Sequence, residues 1–222
     1  MRILIVGLTR GGTTYVEHLF QRYMRVADVN VFNEPFRNNR SKQELLQAVQ
    51  DIQLHGVIVK DHVQHYELYE SITGEPFPFH IYDKFYKIKL LRSDFKGSIM
   101  SLAISRKWGK YNDFKNATIL NEKLHITQDE LSQAYTSQYK NYKQMETFDK
   151  IEFNEVVDYE DLTGQPDKDK EKFKGMFRAI DKNYSGEYKD ITIKKRKPYT
   201  FTIENLAEVE GWYEELCKKN SI

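Results

Sequence analysis

Residues 7–14 read GLTRGGTT. Gly7 and Gly12 stand five apart, with Thr13 and Thr14 behind them. That is the frame of the phosphate-binding loop G-x-x-x-x-G-K-[ST] with one change. Thr13 takes the lysine's place, and a cation, Arg10, stands earlier in the loop. The chemistry on offer is anion binding. A helix start presents unpartnered N–H groups and the positive end of the helix dipole. Gly11 and Gly12 let the backbone approach, and the two threonines add hydroxyl donors. Triphosphate chemistry also needs the lysine and Mg²⁺ to neutralise the β- and γ-phosphates. The missing lysine therefore argues against ordinary kinase or ATPase action. A glycine-rich strand-to-helix connection can also be only a turn.

Two residues could take a proton. Glu34 lies in FNEPF and His62 in VIVKDHV, each expected at the carboxyl end of a strand. Open α/β sheets bind ligands at that end. A histidine near its ordinary pKa of about 6.5 suits proton abstraction near neutrality. A glutamate needs a raised pKa or a strongly coupled transition state. Structural alternatives are a loop carboxylate before a proline and a strand-end histidine bonded to backbone. Lys60, next to these candidates, could stabilise negative charge on a transferred group. Arg92 ends KIKLLR and could make charge-assisted bonds to a phosphate or simply a salt bridge. Ser101 follows it by nine residues, Tyr159 lies in VVDYEDL, and Lys195 and Arg196 lie in the basic run 194–197. That run could equally be a solvated charge cluster. No C-x-x-C, H-E-x-x-H or Ca²⁺-loop pattern occurs, so no metal is expected.

These residues need elements to hold them. Apolar Ile3–Val6 predicts a buried strand over 2–6, and Val16, Leu19, Phe20 and Met24 predict a helix over 13–25. Further strands are expected at 29–32, 57–60, 87–92 and within 152–162. Helices are expected at 41–53, 65–73, 95–108, 127–145, 167–182 and 203–219. Ser41 with Glu44, and Thr127 with Glu130, form capping boxes, and Thr202 is the expected cap of the last helix. Alternating strands and helices predict an α/β fold with a parallel sheet. No repeat or low-complexity linker divides the 222 residues, so one domain over 1–222 is expected.

Composition narrows the function. A net charge of +1 leaves no global reason to expect nucleic acid. The single cysteine, Cys217, allows no internal disulfide and fits a reducing compartment. No apolar run approaches the roughly 20 residues of a membrane span, and the start shows no signal peptide. A cytoplasmic protein is expected. Tyrosine (15) and phenylalanine (13) are abundant. Aromatic core is the better reading of them, and a stacking cleft at Phe77, Phe79, Tyr82, Phe85 and Tyr86 is the alternative.

The segment TRGGTTYVEHL resembles the 5′-phosphosulfate loop of sulfotransferases, P-[KR]-S-G-[ST]-[ST] between the first strand and first helix. Arg10 falls on the family's Lys/Arg, Gly12 on its glycine, and Thr13–Thr14 on its hydroxyl pair. Thr9 replaces the proline and Gly11 the serine. KIKLLRSDFKGSIMSLAISRKWGKY resembles the family's 3′-phosphate motif, through Arg92 and Ser101. The nine-residue register resembles the bacterial trehalose-type and carbohydrate members. VVDYEDL is similar to the family's YEDL segment, where the aromatic at Tyr159 would lie near adenine. Lys195 and Arg196 would stand for a basic loop closing on the 3′-phosphate, although the R-K-G tripeptide is absent.

The resemblance implies a P-loop-type parallel sheet flanked by helices in three α/β/α layers. It implies an enzyme that transfers a sulfuryl group from 3′-phosphoadenosine 5′-phosphosulfate to a hydroxyl or amine of a small molecule or carbohydrate. The product nucleotide would be 3′,5′-phosphoadenosine phosphate, and no metal would be needed. Glu34 matches the glutamate base of carbohydrate and tyrosyl-protein members. His62 resembles the histidine of the K-T-H segment in phenol and steroid members. Segments 33–40, 62–86 and 107–125 would line the acceptor cleft. The rival readings are a P-loop kinase of a small metabolite and a non-catalytic nucleotide-binding module.

Overall fold

The computed structural model describes residues 1–24, 27–37, 40–109, 123–163, 171, 174–178 and 199–220. In chain order the elements are β1 (Arg2–Gly7), α1 (Thr13–Met24), a 3₁₀ turn (Asp28–Asn30), β2 (Val31–Asn33), α2 (Lys42–His55), β3 (Ile58–His62) and α3 (Val63–Thr73). A second 3₁₀ turn (Phe79–Tyr82), β4 (Phe85–Leu91), α4 (Phe95–Trp108), α5 (Gln128–Thr147) and β5 (Glu155–Asp158) follow. Short helices Glu160–Thr163 and Tyr199–Thr202 precede a last helix, Leu206–Lys219.

The five strands form one sheet in the order β2-β3-β1-β4-β5, and every pairing is parallel. β1 lies at the centre because Ile3–Val6 can be buried on both faces, as an inner parallel strand must be. Alternation sends its side chains two ways. Leu4 and Val6, with Val59 of β3, join Leu45, Ala48 and Ile52 of α2 and Val63, Tyr66 and Tyr69 of α3 in one apolar cluster. Ile3, Ile5 and Gly7 face the other way, toward α1, where Val16, Leu19 and Phe20 are fully buried. Helices thus cover both faces, giving three α/β/α layers. Leu4→Ala would remove a fully buried side chain at a cost of about 2–5 kcal/mol.

The chain divides into two compact units, Met1–Ser93 with Asn141–Lys189 and Asp94–Lys140 with Asp190–Ile222. The first holds the sheet. The second is helical around Ile99, Met100, Leu102, Leu131, Tyr135 and Val209. Both expected capping boxes are present. Ser41 and Glu44 exchange bonds of 2.7 and 3.3 Å, and Thr127 and Glu130 exchange bonds of 2.9 and 3.3 Å.

One expectation needs correction, and the preferred reading of the aromatic stretch holds. The last helix starts at Leu206 after Asn205, not at Thr202. The backbone carbonyl of Thr202 instead accepts from Leu124 N–H at 2.8 Å, and Leu124 bridges to Ile203, which ends the short helix there. The aromatic stretch 77–86 supplies core. Phe77, Tyr82 and Phe85 are buried, with Phe77 packed against Phe36, Tyr66 and Tyr69. Of the helix expected at 167–182, residues 171 and 174–178 are described and are helical. Among the described residues no helix is long and apolar enough to cross a membrane.

Candidate functional site

All five strands run the same way, so their carboxyl ends share one rim. In the first unit that rim carries the candidate residues. Gly7 ends β1, Glu34 follows β2, Lys60 and His62 close β3, Arg92 follows β4, and Tyr159 follows β5. Register places Gly7 beside His62, and Ile5 and Asn33 on either side of Lys60.

The glycine loop is tightly folded. Gly11 N–H donates to the Leu8 carbonyl at 2.8 Å, and Tyr15 and Val16 N–H both donate to the Gly12 carbonyl. The helical ladder therefore starts at Tyr15. The amides of Gly12, Thr13 and Thr14 precede its first rung, where a helix is ready for an anion. Steric demands fix the loop's three glycines, and a Cβ on Gly11 would lie 2.7 Å from the Leu8 carbonyl oxygen. A Cβ on Gly7 would lie 2.6 Å from the Thr13 methyl carbon, and one on Gly12, at φ +83°, would lie 2.0 Å from the Tyr159 ring. Thr9, where the resembling family has proline, is held differently. Its hydroxyl accepts from Gln64 of α3 at 2.8 Å.

Two non-glycine residues have positive φ among the described residues, and both are candidates. Arg10 lies at +62° and Glu34 at +52°. Holding an L-residue there costs on the order of 1–2 kcal/mol. Such outliers persist where the surroundings hold them and gather at functional sites. At Glu34 the hold is visible: its N–H donates to the Lys60 carbonyl at 2.8 Å.

Side chains meet at the β1–β3 part of the rim. Lys60 is 1% exposed, and its ammonium donates to Glu34 Oε1 at 2.7 Å and to Thr14 Oγ1 at 3.0 Å. His62 Nε2 lies 3.2 Å from the same Glu34 oxygen. Its Nδ1 lies 2.8 Å from the Gly7 carbonyl. A carbonyl can only accept, so Nδ1 carries hydrogen. The Nε2–Oε1 contact then needs one proton, shared between histidine and glutamate. Burial raises the Glu34 pKa, but the His62 contact and Lys60 outweigh it, and Glu34 is held well below the usual carboxylate range.

Sequence reasoning missed Glu17. It lies on α1 between the core residues Val16 and Phe20 and is almost fully buried. Burial pushes its pKa up to about 7, Lys60 opposes that and Glu34 adds to it. A charged residue inside the helix's apolar stripe, one turn beyond Thr13 and Thr14, was the available signal.

On the opposite face of β3, Asp61 Oδ1 accepts from the His62 N–H at 2.9 Å and pairs with His65 Nδ1, while its Oδ2 is buried without a partner. The buried Tyr66 and Tyr82 hydroxyls are driven well above 10 by burial, with Asp61 adding to it.

The β4–β5 part of the rim is built otherwise. Arg92 donates to the Arg10 carbonyl, pairs with Glu160 at 3.3 Å, and lies 5.5 Å from the centre of the Tyr159 ring. Ser93 N–H donates to Asp158 Oδ1 and Glu160 Oε2 at 3.2 and 3.0 Å. The contact with Glu160 lowers the Asp158 pKa, while burial and Asp158 raise that of Glu160.

Thus Arg10, Gly11, Gly12, Thr13, Thr14, Glu34, Lys60, His62, Arg92 and Tyr159 share the rim of one unit. Ser101 lies half-buried on α4, in the other unit. Nearby Ser98 is fully buried, and its hydroxyl accepts from Gln138 at 3.2 Å. Lys195, Arg196 and segment 110–122 of the expected acceptor cleft lie outside the described residues. Among the described residues no three His, Cys, Asp or Glu side chains are grouped as metal ligands. No family model matches the chain, and no curated protein matches it.

Proposed function

We propose that the rim is the active site of a sulfotransferase. One observation carries the reading: the buried Lys60 ammonium joins Thr14, at the anion-binding start of α1, to Glu34, which also contacts His62. Anion site, cation and proton acceptor are thereby linked through one side chain. The lysine that the loop lacks at position 13 is supplied from β3.

The residues present fit a donor with a single phosphate at its reactive end. The Gly12, Thr13 and Thr14 amides and Arg10 would hold it, and Lys60 adds positive charge where no loop lysine exists. When bound, 3′-phosphoadenosine 5′-phosphosulfate supplies a sulfuryl group on a phosphate leaving group. Lys60 and the helix start are fixed in place before reaction, so they can stabilise oxyanion charge without reorganising. Once the proton shared between His62 Nε2 and Glu34 Oε1 has left to solvent, the pair takes in its place the proton that the acceptor hydroxyl or amine loses. The two side chains share a hydrogen bond, so a change in one acts on the other. The Gly7 carbonyl fixes the imidazole, so Nε2 and Glu34 Oε1 face one another.

The test is turnover by Glu34→Gln, His62→Ala and the double variant, with phosphoadenosine phosphosulfate and a panel of hydroxyl and amine acceptors. Each single variant is expected to lose about two to four decades of turnover with donor affinity kept. The double variant is expected to lose little more than the worse single, as members of one unit do. Unchanged turnover in both singles would reject the pair as the base.

A further inference from the structure

The buried charge of this site is not yet balanced. Lys60 has three N–H bonds, and Thr14 and Glu34 take two of them. One helical turn beyond Thr13 and Thr14, Glu17 is 3% exposed, and its Oε2 is buried without a hydrogen-bond partner. Its Oε1 lies 3.9 Å from the ring of His18, beyond hydrogen-bond reach. The charged groups acting on it are Lys60 from β3 and Glu34 from the loop after β2, and the titratable His18 of its own helix lies beside it.

An ionised carboxylate this deep, without a hydrogen bond, carries a large desolvation cost. A protonated carboxyl avoids most of it. Burial working against Lys60 leaves Glu17 near 7, so both forms are accessible at neutral pH. The two forms treat Lys60 differently. Ionised, Glu17 competes for the ammonium's field with anything bound at the start of α1. Neutral, it does not.

We propose that Glu17 is a positioning residue that holds a proton in the resting site and so leaves the charge of Lys60 to an anion at the start of α1. The inference rests on the anion-binding reading of the loop and adds its regulation. Seating a phosphate or sulfate ester there stabilises neutral Glu17, so binding near pH 7 takes up a proton from solvent. Affinity then falls as pH rises and Glu17 ionises.

Two measurements on the full chain test this. Infrared spectra of the free protein and of Glu17→Gln, from pH 6 to pH 8, should show a protonated carboxyl band that titrates away near neutrality and is missing from the variant. Absence of that band at pH 6 overturns the proposal. Calorimetric titration with 3′,5′-phosphoadenosine phosphate at both pH values, in two buffers of different ionisation enthalpy, reads proton uptake directly. Glu17→Gln keeps the titration of the ligand and of every other group at the site and sets the baseline. Wild type should match it at pH 6 and bind about tenfold more weakly at pH 8. A pH dependence that is the same in both proteins overturns the role of Glu17. A carboxyl band with no binding by either protein overturns the anion-site reading, and the link to Lys60 with it.

Discussion

The two halves of the rim use similar residues for different ends. At β1–β3, Lys60 sits among Glu34, His62 and Thr14 with almost no exposure, and its ammonium is aimed at the start of α1. At β4–β5, Arg92 lies between Glu160 and the loop, and it donates to the backbone carbonyl of Arg10. The first arrangement stores charge that a ligand could use. The second spends its cation on the loop itself, with Tyr159 wedged against Gly12. In the free protein Arg92 thus braces the loop from the end of its strand.

The comparison breaks most sharply at Lys60. Lys60→Met removes one partner of a buried ion pair and should cost about 3–5 kcal/mol in urea unfolding. A loss below about 1 kcal/mol would mean that the ammonium is far better solvated than its burial implies.

Glu17→Gln should act in the other direction. The folded-state pKa of about 7 lies above the ordinary value of 4.5. The protonated form is therefore favoured in the folded state, with no penalty below pH 4.5 and a growing one as pH rises through 7. Glu17→Gln should match wild type at pH 4 and exceed it by on the order of 3 kcal/mol at pH 8. Glu34 has the opposite sign. Its depressed pKa adds stability above the ordinary carboxylate range, and that stability is lost on acidification.

At the other half of the rim, Arg92→Ala should cost about 1.5–3 kcal/mol without any ligand present, because its bond to the Arg10 carbonyl exists in the free protein. Amide hydrogen exchange should quicken in residues 8–12. Unaltered exchange there would show that the Arg92 bond does not hold the loop.

Much of this was legible in the sequence. The continuous apolar run of β1, the glycine spacing and the two capping boxes are local signals, and each element they predict is present. The rim placement of Glu34 and His62 followed from their position after strands. Their joining through Lys60 was not legible, because it depends on the register of β3 against β1 and β2. The sequence offered Glu34 and His62 as separate candidates, and the fold brings His62 Nε2 within 3.2 Å of Glu34 Oε1. Glu17 was hidden by an amphipathic pattern that reads well enough with one residue out of place. Thr202 is not the cap because it ends a short helix of its own, Tyr199–Thr202, and the last helix begins only at Leu206 after Asn205.

The measurement that bears most directly on the whole is calorimetric titration with 3′,5′-phosphoadenosine phosphate, compared with ADP and with ATP plus Mg²⁺. Tight binding of the 3′-phosphorylated nucleotide, much weaker binding of ADP and no need for Mg²⁺ are expected. Preference for ATP with Mg²⁺ would make the site a kinase's, with Lys60 standing in for the missing loop lysine. No binding of any of the three would leave the rim a buried charge cluster with no nucleotide to serve.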